Sequence, residues 1–278
     1  MVTTAPSVGP LLREWRQRRR LSQLDLACEA AISTRHLSFL ETGRALPSRD
    51  MVLHLSERLD IPLRERNVLL VAAGYAPVFP ERTLDDPALE AARRAVDLVL
   101  TGHEPFPALA VDRHWMLVAG NGTVARLIAG VDPPLLAPPV NVLRLSLHPK
   151  GLAPRIVNLA EWREHLLARL RHQIEVTADP VLIELFKELR DYPASIGADT
   201  GKIGVPGAPP ARSTIDDFGG VAVPFRLATE AGVLSFFSTT TMFGTPVDIT
   251  LAELALEAFY PADAATADAL RAMAVATR

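Results

Sequence analysis

The chain has 278 residues, a net charge of −3 and 49% apolar residues. This length exceeds that of one ordinary domain, so we expect two compact units that each bury a core. No apolar run of about eighteen residues is present, and the first ten residues lack a signal-peptide pattern. A single cysteine, Cys28, excludes an internal disulfide framework. We therefore expect a cytoplasmic bacterial protein with no membrane partner.

Charge is distributed unevenly along the chain. Residues 1–76 contain 11 arginines, no lysine and 8 acidic residues, a net charge of +3, whereas residues 77–278 contain 18 basic and 24 acidic residues, a net charge of −6. Arginine forms bidentate hydrogen bonds with phosphate and with guanine. The first part is therefore the better candidate for contact with a polyanion.

Residues 10–74 have the apolar periodicity of five short helices. Pro10 suits the first position of a helix, where its missing N–H is not needed, and Gly43 and Gly74 are typical of helix ends. The predicted helices begin at Pro10, at Ser22, at Ser33 or Thr34, at Ser48 and at Arg64.

The second and third predicted helices are joined by a short turn and cross at a small residue, Ala27. We expect Leu24, Ala27 and Cys28 to be buried in the second helix, and Leu37 and Leu40 in the third. Two short helices joined in this way form a helix-turn-helix, whose second helix fits a major groove about 12 Å wide. The pattern therefore predicts a domain that binds duplex DNA.

The solvent face of the third helix carries side chains that bond base edges or phosphates, Arg35 and Thr34 foremost. Gln23, at the start of the preceding helix, is expected to present its amide to a phosphate. Arg44 and Arg49 are expected to add positive charge beside the flanking backbone. The candidate DNA contacts are Ser22, Gln23, Ser33, Thr34, Arg35, His36, Ser38, Arg44 and Arg49.

This stretch resembles the XRE, or Cro/CI-type, regulators. The matching pieces are Ser22-Gln23, Leu26-Ala27, Leu37-Ser38 and Glu41-Thr42-Gly43-Arg44, followed by Pro47-Ser48. One departure is Ala31, which stands where the family usually has glycine at the turn; an alanine in a left-handed conformation costs about 1 kcal/mol. The resemblance implies sequence-specific binding to a double-stranded DNA operator.

The residues leave other interpretations open. A bundle of short helices rich in leucine and arginine can also be a protein-docking or dimerisation module. His36 is equally compatible with solvation or packing, and Phe39 with packing against the fourth helix. Glu41 is expected to form an ion pair with an arginine of the same domain.

A proline-rich stretch marks the boundary after the first domain, and a helix is predicted over residues 88–100. We therefore divide the chain into a DNA-binding domain (1–76), a linker with a connecting helix (77–101) and a second domain (102–278). Residues 141–147 alternate like a strand but fit a helix nearly as well. The other predicted regions are helices over 158–176 and 180–190, a hairpin of strands over 221–228 and 233–241, a loop over 194–216 and a mixed segment over 247–259.

The second domain lacks the usual signatures of catalysis. It has no phosphate-binding glycine loop, no Gly-x-Ser-x-Gly turn, and no cysteine or histidine cluster at metal-ligand spacing. We therefore expect no enzyme activity, no cofactor and no metal. Its phenylalanines fit the core of a small sheet covered by helices, with the lining of an apolar ligand cavity as the alternative.

Five pieces of the second domain resemble the MmyB-like ligand-binding domain, a PAS-like sensor joined to XRE regulators. They are residues 141–149, 158–162, 234–239, 243–246 and 259–263. The resemblance implies a central antiparallel sheet with helices on one side, a helix over 141–147 above the pocket, a homodimer, and an apolar small-molecule effector such as a fatty-acyl compound.

The same resemblance suggests which side chains contact the effector. Arg144 is the nearby cation that could meet a carboxylate head group, although a salt bridge to an acidic side chain is the favoured use. The candidate ligand-binding residues are Trp115, Leu127, Leu143, Arg144, Leu147, Phe225, Phe236 and Phe243.

Together the patterns predict an α+β protein: an all-α, five-helix helix-turn-helix domain followed by a PAS-like antiparallel sheet covered by helices. The hypothesis is a sequence-specific DNA-binding transcription regulator whose second domain senses an apolar small molecule. Two alternatives stay open for that domain, a sensor of a protein partner and an enzyme whose helix-turn-helix is autoregulatory.

Overall fold

The computed structural model describes residues 7–193, 223–244, 246 and 248–275. They cluster into two compact units, one formed mainly by the residues up to 83 and the other by most of those from 84 onward. The loop predicted over residues 194–216 lies outside the described residues. No described helix is both long and apolar enough to span a membrane.

The first 83 residues fold, where they are described, into the five helices that the sequence predicts. The hydroxyl groups of Ser22, Ser33 and Ser48 accept hydrogen bonds from backbone N–H groups of the following turn, so each serine caps a helix. The five helices are α1 (Val8–Arg18), α2 (Gln23–Glu29), α3 (Thr34–Glu41), α4 (Arg49–Arg58) and α5 (Leu63–Ala72).

The register of α2 differs from the prediction. Leu24 is 61% exposed and Cys28 is also exposed, whereas Leu26, Ala27 and Ala30 are buried. The predicted stripe of Leu24, Ala27 and Cys28 is therefore wrong in two of its three members. The prediction for the turn is confirmed, because Ala31 has a φ of 51°.

The described part of the second unit contains a five-stranded antiparallel sheet. The strands follow the order β2-β1-β5-β4-β3, so β5 pairs with both β1 and β4. The strands are β1 (Ala108–Val111), β2 (Leu117–Gly120), β3 (Phe225–Thr229), β4 (Gly232–Met242) and β5 (Ala255–Pro261).

Several helices accompany the sheet. The segment 141–147, ambiguous in sequence, contains a helix that the side chain of Asn141 caps through the N–H groups of Leu143 and Arg144. The other described helices of this unit are α6 (Glu90–Gly102), α7 (Gly122–Leu127), α8 (Pro133–Leu136), α9 (Val142–Leu147), α10 (Leu159–Thr177), α11 (Pro180–Asp191) and α13 (Ala264–Val275). A short helix, α12 (Ile249–Ala252), belongs to the first unit.

Alternate residues of β1 point to opposite faces of the sheet. Ala108 and Ala110 pack with Val96 and Leu100 of α6. Val111 belongs to a larger cluster that includes the apolar face of α10. Helices therefore pack on both faces of the sheet, whereas the resemblance implied one covered face.

Candidate DNA interface and apolar cavity

A buried ion pair joins α1 to the C-terminal end of α3. Arg16 donates from Nε to Glu41 Oε1 at 2.6 Å and from Nη2 to Oε2 at 2.9 Å. Gln23 of α2 donates to the same Oε2 at 2.8 Å. The Glu41 side chain is 1% exposed, so hydrogen bonds from Arg16 and Gln23 replace those that water would donate to its two oxygens. The pair therefore ties all three helices together, and the predicted ion pair of Glu41 is confirmed.

These hydrogen bonds set the protonation of Glu41. Burial alone would raise its pKa, but the hydrogen bonds from Arg16 and Gln23 and the charge of Arg16 lower it below its usual value. The carboxylate is thus ionised near neutral pH, as the bidentate geometry requires.

Gly9 lets α1 approach α3 closely. A Cβ added at Gly9 would lie 2.5 Å from the carbonyl oxygen of Leu40 and 2.7 Å from that of Glu41. Both atoms belong to backbone, which cannot move aside as a side chain can. The position of α3 therefore depends on a residue without a side chain in α1.

The outer surface of α3 presents a compact set of polar side chains. Arg35 and His36 are exposed, and Thr34 and Ser38 are half-buried. The guanidinium carbon of Arg35 lies 5.3 Å from the ring centroid of Phe39, and that of Arg44 lies 5.9 Å from it. Phe39 thus contacts both arginines.

The predicted DNA contacts fall into two groups. Ser33, Arg35, His36, Arg44 and Arg49 are exposed and can reach a partner. Thr34 and Ser38 are half-buried on the same helix, and Ser22 and Gln23 form hydrogen bonds within the domain.

Two predicted contacts already have structural roles. The Ser22 hydroxyl accepts a hydrogen bond from the backbone N–H of Asp25 as a helix cap. The backbone N–H of Ser22 in turn donates to the Asp25 carboxylate. The amide nitrogen of Gln23 is bound to Glu41 instead of pointing to solvent. Gln23 thus has a structural role in holding Glu41, and its predicted phosphate contact stays a prediction.

The second unit contains an apolar cavity of about 100 Å³ between one face of the sheet and helices α9 and α10. Among the described residues, seventeen of the twenty lining side chains are apolar, and the other three are Ser146, Arg169 and Glu257. The hydroxyl oxygen of Ser146 accepts a hydrogen bond from the Trp162 indole at 3.0 Å. The apolar lining residues are Pro107, Leu109, Trp115, Leu117, Val124, Leu127, Ile128, Val142, Leu143, Leu145, Leu152, Trp162, Leu166, Phe225, Leu227, Phe236 and Phe259.

Five of the eight predicted ligand-binding residues line this cavity: Trp115, Leu127, Leu143, Phe225 and Phe236. Trp115 has a φ of 64°, which is uncommon for a bulky residue, and its indole donates to Gln173 at 2.8 Å. The hydrogen bond fixes the ring edge and leaves the ring itself at the cavity.

Leu147 and Phe243 do not line the cavity, so these two predictions are wrong. Leu147 is buried in the core cluster at the end of α9. Phe243 follows β4 and packs against the cluster on the α6 face of the sheet. Both residues are apolar and near the predicted segments, but sequence proximity does not specify which face they occupy.

Arg144 is also absent from the cavity lining. Its Nε donates to Glu188 Oε1 at 2.8 Å and its Nη2 donates to Oε2 at 2.7 Å, which joins α9 to α11. The hydrogen bond from Arg144 lowers the pKa of Glu188, and burial opposes this. The salt bridge that the sequence analysis favoured for Arg144 is thus the observed arrangement, and Arg144 does not lie where a head group in this cavity would bind.

The cation at the cavity is instead Arg169 of α10, which the sequence reasoning missed. Its Nη2 donates to Glu257 Oε1 of β5 at 2.6 Å and to Thr240 Oγ1 of β4 at 2.9 Å. Its guanidinium carbon lies 4.9 Å from the Trp115 ring centroid. The sequence signal for this site was Glu257, a charged residue in an otherwise apolar strand.

Comparisons with known proteins give two matching family profiles, one for each part of the chain. The family profile "MmyB-like transcription regulator ligand binding domain" matches residues 92–273, and the profile "Helix-turn-helix domain" matches residues 7–69. A protein of Methanoculleus marisnigri, described as "Putative HTH-type transcriptional regulatory protein", is 35% identical over 125 residues, which are 43% of this chain and 40% of that protein. The chain thus matches less than half the length of this relative. Because the first profile covers most of the chain, the protein belongs to the family with an MmyB-like transcription regulator ligand-binding domain, here preceded by a helix-turn-helix domain.

Proposed function

We propose that this protein is a transcription regulator that binds a specific DNA operator through α3 and senses an apolar small molecule in the cavity of its second domain. The observation that carries the proposal is the combination of an exposed polar helix, held in place by a buried ion pair, with an apolar cavity in a matched ligand-binding domain.

The DNA-binding surface is proposed to consist of Ser33, Thr34, Arg35, His36 and Ser38, with Arg44 and Arg49 beside it. Arg35 is positioned to read base edges, because it is exposed on α3 and rests against Phe39. The Ser22 hydroxyl can still donate to a phosphate while it accepts the capping bond. Arg49, at the exposed start of α4, is suited to a phosphate contact.

The active form is proposed to be a homodimer. Residues 1–76 carry a net charge of only +3, so a single copy has few phosphate contacts and little affinity. Two copies on half-sites about 34 Å apart would double these contacts. An effector that changes the geometry of the dimer would then change operator affinity.

The test of DNA binding measures affinity for the upstream region of the protein's own gene and for unrelated duplexes at several salt concentrations. Arg35→Ala should cost about 1–3 kcal/mol on the operator and little on unrelated DNA, whereas Arg49→Ala should weaken both and reduce the salt slope by about 1. Arg94→Ala, an exposed arginine of α6, is the control. Equal affinity for all duplexes in the unsubstituted protein would refute the proposal.

The test of effector binding titrates apolar compounds of increasing size, short fatty-acyl chains included, and follows tryptophan fluorescence. Two of the three tryptophans, Trp115 and Trp162, line the cavity and should report occupancy. Leu143→Trp should fill the cavity and abolish the response. A stoichiometric protein partner without any bound small molecule would favour the partner-sensing alternative, and turnover of a titrated compound would favour the enzyme.

A further inference from the structure

We propose that the cavity selects an uncharged effector, an apolar molecule with one hydroxyl or carbonyl group, over a carboxylate, and that Glu257 sets this selection. The inference rests on the proposed function of the cavity as the effector site. It adds the charge class of the effector and the residue that determines it.

Two charged side chains in the cavity lining, Arg169 from α10 and Glu257 from β5, form its polar end. Thr240 of β4, directly opposite Glu257 in the sheet register, is exposed and lies outside the lining, but it is hydrogen-bonded to both. Among the described residues that line the cavity, Arg169 and Glu257 are the charged ones. The polar end therefore carries one positive and one negative charge.

The negative charge of Glu257 is already paired with the guanidinium of Arg169. Both Nη atoms donate to Glu257, at 2.6 and 3.3 Å, and the Thr240 hydroxyl donates to the same carboxylate at 2.8 Å. The Glu257 side chain is 5% exposed, so water screens it little. The guanidinium is thus neutralised by the protein itself.

A carboxylate effector would meet two penalties at this end of the cavity. It would lose its hydration in an apolar enclosure, and it would lie beside the buried Glu257 carboxylate without a free cation to compensate it. A hydroxyl or carbonyl group meets neither penalty, because a neutral dipole can share a hydrogen bond with Arg169 or Glu257. The geometry therefore favours a neutral head group.

The size of the cavity indicates which probes to use. Its volume of about 100 Å³ is of the same order as the roughly 150 Å³ of an engineered apolar cavity that binds benzene. A six-carbon chain is a suitable body, and hexan-1-ol and hexanoate differ only in the head group. They form a matched pair in which charge is the main difference.

The experiment measures the dissociation constants of hexan-1-ol and hexanoate at neutral pH by calorimetry on the full chain. For the unsubstituted protein we expect hexan-1-ol to bind at least about tenfold more tightly, since the Glu257 carboxylate repels a second carboxylate beside it. In Glu257→Gln, the amide removes the competing anion and frees Arg169, so hexanoate should gain at least about tenfold relative to hexan-1-ol. The double variant Arg169→Gln with Glu257→Gln is the matched control and should show no such gain.

The outcomes separate the two proposals. Hexanoate binding as tightly as hexan-1-ol in the unsubstituted protein overturns the charge selection, and this comparison needs no variant to fold. An unchanged ratio in a folded Glu257→Gln variant overturns the role of Glu257. If neither probe binds, the proposed effector site itself is refuted, and the charge selection with it.

Discussion

Each unit of this protein contains an arginine–glutamate pair with charged hydrogen bonds of nearly the same length, but the two pairs border different surroundings. Arg16 and Glu41 are 9% and 1% exposed and lie among packed helices. Arg169 and Glu257 are 27% and 5% exposed and border an apolar cavity. The first pair fixes the position of a helix, whereas the second, as we propose, sets the charge preference of the cavity.

The difference shows that the role of a buried ion pair depends on what lies beside it. Around Glu41, Arg16 and Gln23 satisfy the carboxylate, and its removal leaves a charge without compensation in a packed core. Around Glu257, empty volume lies next to the charges, so a ligand can exploit any imbalance between them. The following predictions test this distinction.

The largest effect is expected from Glu41→Ala. Removing one partner of a buried pair costs about 3–5 kcal/mol because the other charge stays buried. We expect the first unit to unfold at much lower denaturant concentration, as measured by far-UV circular dichroism, and operator binding to be lost with it.

The control for this prediction is Glu90→Ala, which breaks the exposed pair with Arg94 in α6. Exposed pairs contribute about 0–1 kcal/mol, so this variant should unfold almost as the unsubstituted protein does. Comparable stability losses in the two variants would show that burial does not distinguish the Glu41 pair.

A smaller effect is expected from Gly9→Ala, which tests how closely α1 and α3 approach without changing any charge. The added methyl would overlap the carbonyl oxygens of Leu40 and Glu41. Overpacking of this kind costs about 1–3 kcal/mol and should displace α3. The measurement is the chemical denaturation of the chain together with operator affinity.

Gly102→Ala, at the end of α6, is the matched control because a Cβ there meets nothing within 4 Å. It should leave stability unchanged or raise it by about 0.4–1 kcal/mol. If Gly9→Ala is as stable as this control, the contact between α1 and α3 does not require glycine.

The two units also differ in how much of their fold could be predicted from the sequence. The five helices of the first unit follow from local signals, the serine caps and the terminal glycines, so they were predicted and confirmed. Strand β1 was missed because it has only four residues and pairs with β5, more than a hundred residues further along the chain. Hydrophobic periodicity does not show which distant strand pairs with a segment. For the same reason it did not identify the buried face of α2.

The cavity residues also divide into those that the sequence predicted and those that only the fold brings together. Aromatic and leucine residues at the cavity were predicted from the family resemblance, and five of them line it. Arg144 was the cation considered because it lay within a matched segment, and its partner in the structure is Glu188, 44 positions away. The pairing of Arg169 with Glu257 spans 88 positions, and only the folded sheet brings the two together.

The smallest effect concerns pH and His165 of α10, which stacks on Trp162 with the ring centroids 5.3 Å apart. Burial lowers the pKa of His165, and the charge of Arg169 lowers it further, while Glu257 and Glu161 oppose the shift. In an unfolded chain the pKa of histidine is about 6.5. Below that pH the unfolded chain binds a proton that the folded chain resists, so stability falls as the pH falls.

We therefore expect the second unit to lose stability progressively from about pH 6.5 downward, whereas Glu41 affects the first unit only below about pH 4.3, the reference pKa of glutamate. Denaturation measured between pH 7 and 5.5 should show a shallower pH dependence in His165→Gln than in the unsubstituted protein. His172→Gln, a substitution at an exposed position of the same helix, is the control and should keep the original slope. Equal slopes in the two variants would mean that His165 is as free to take up a proton in the folded state as in the unfolded state. In that case His165 would not make the second unit more sensitive to acid than the first.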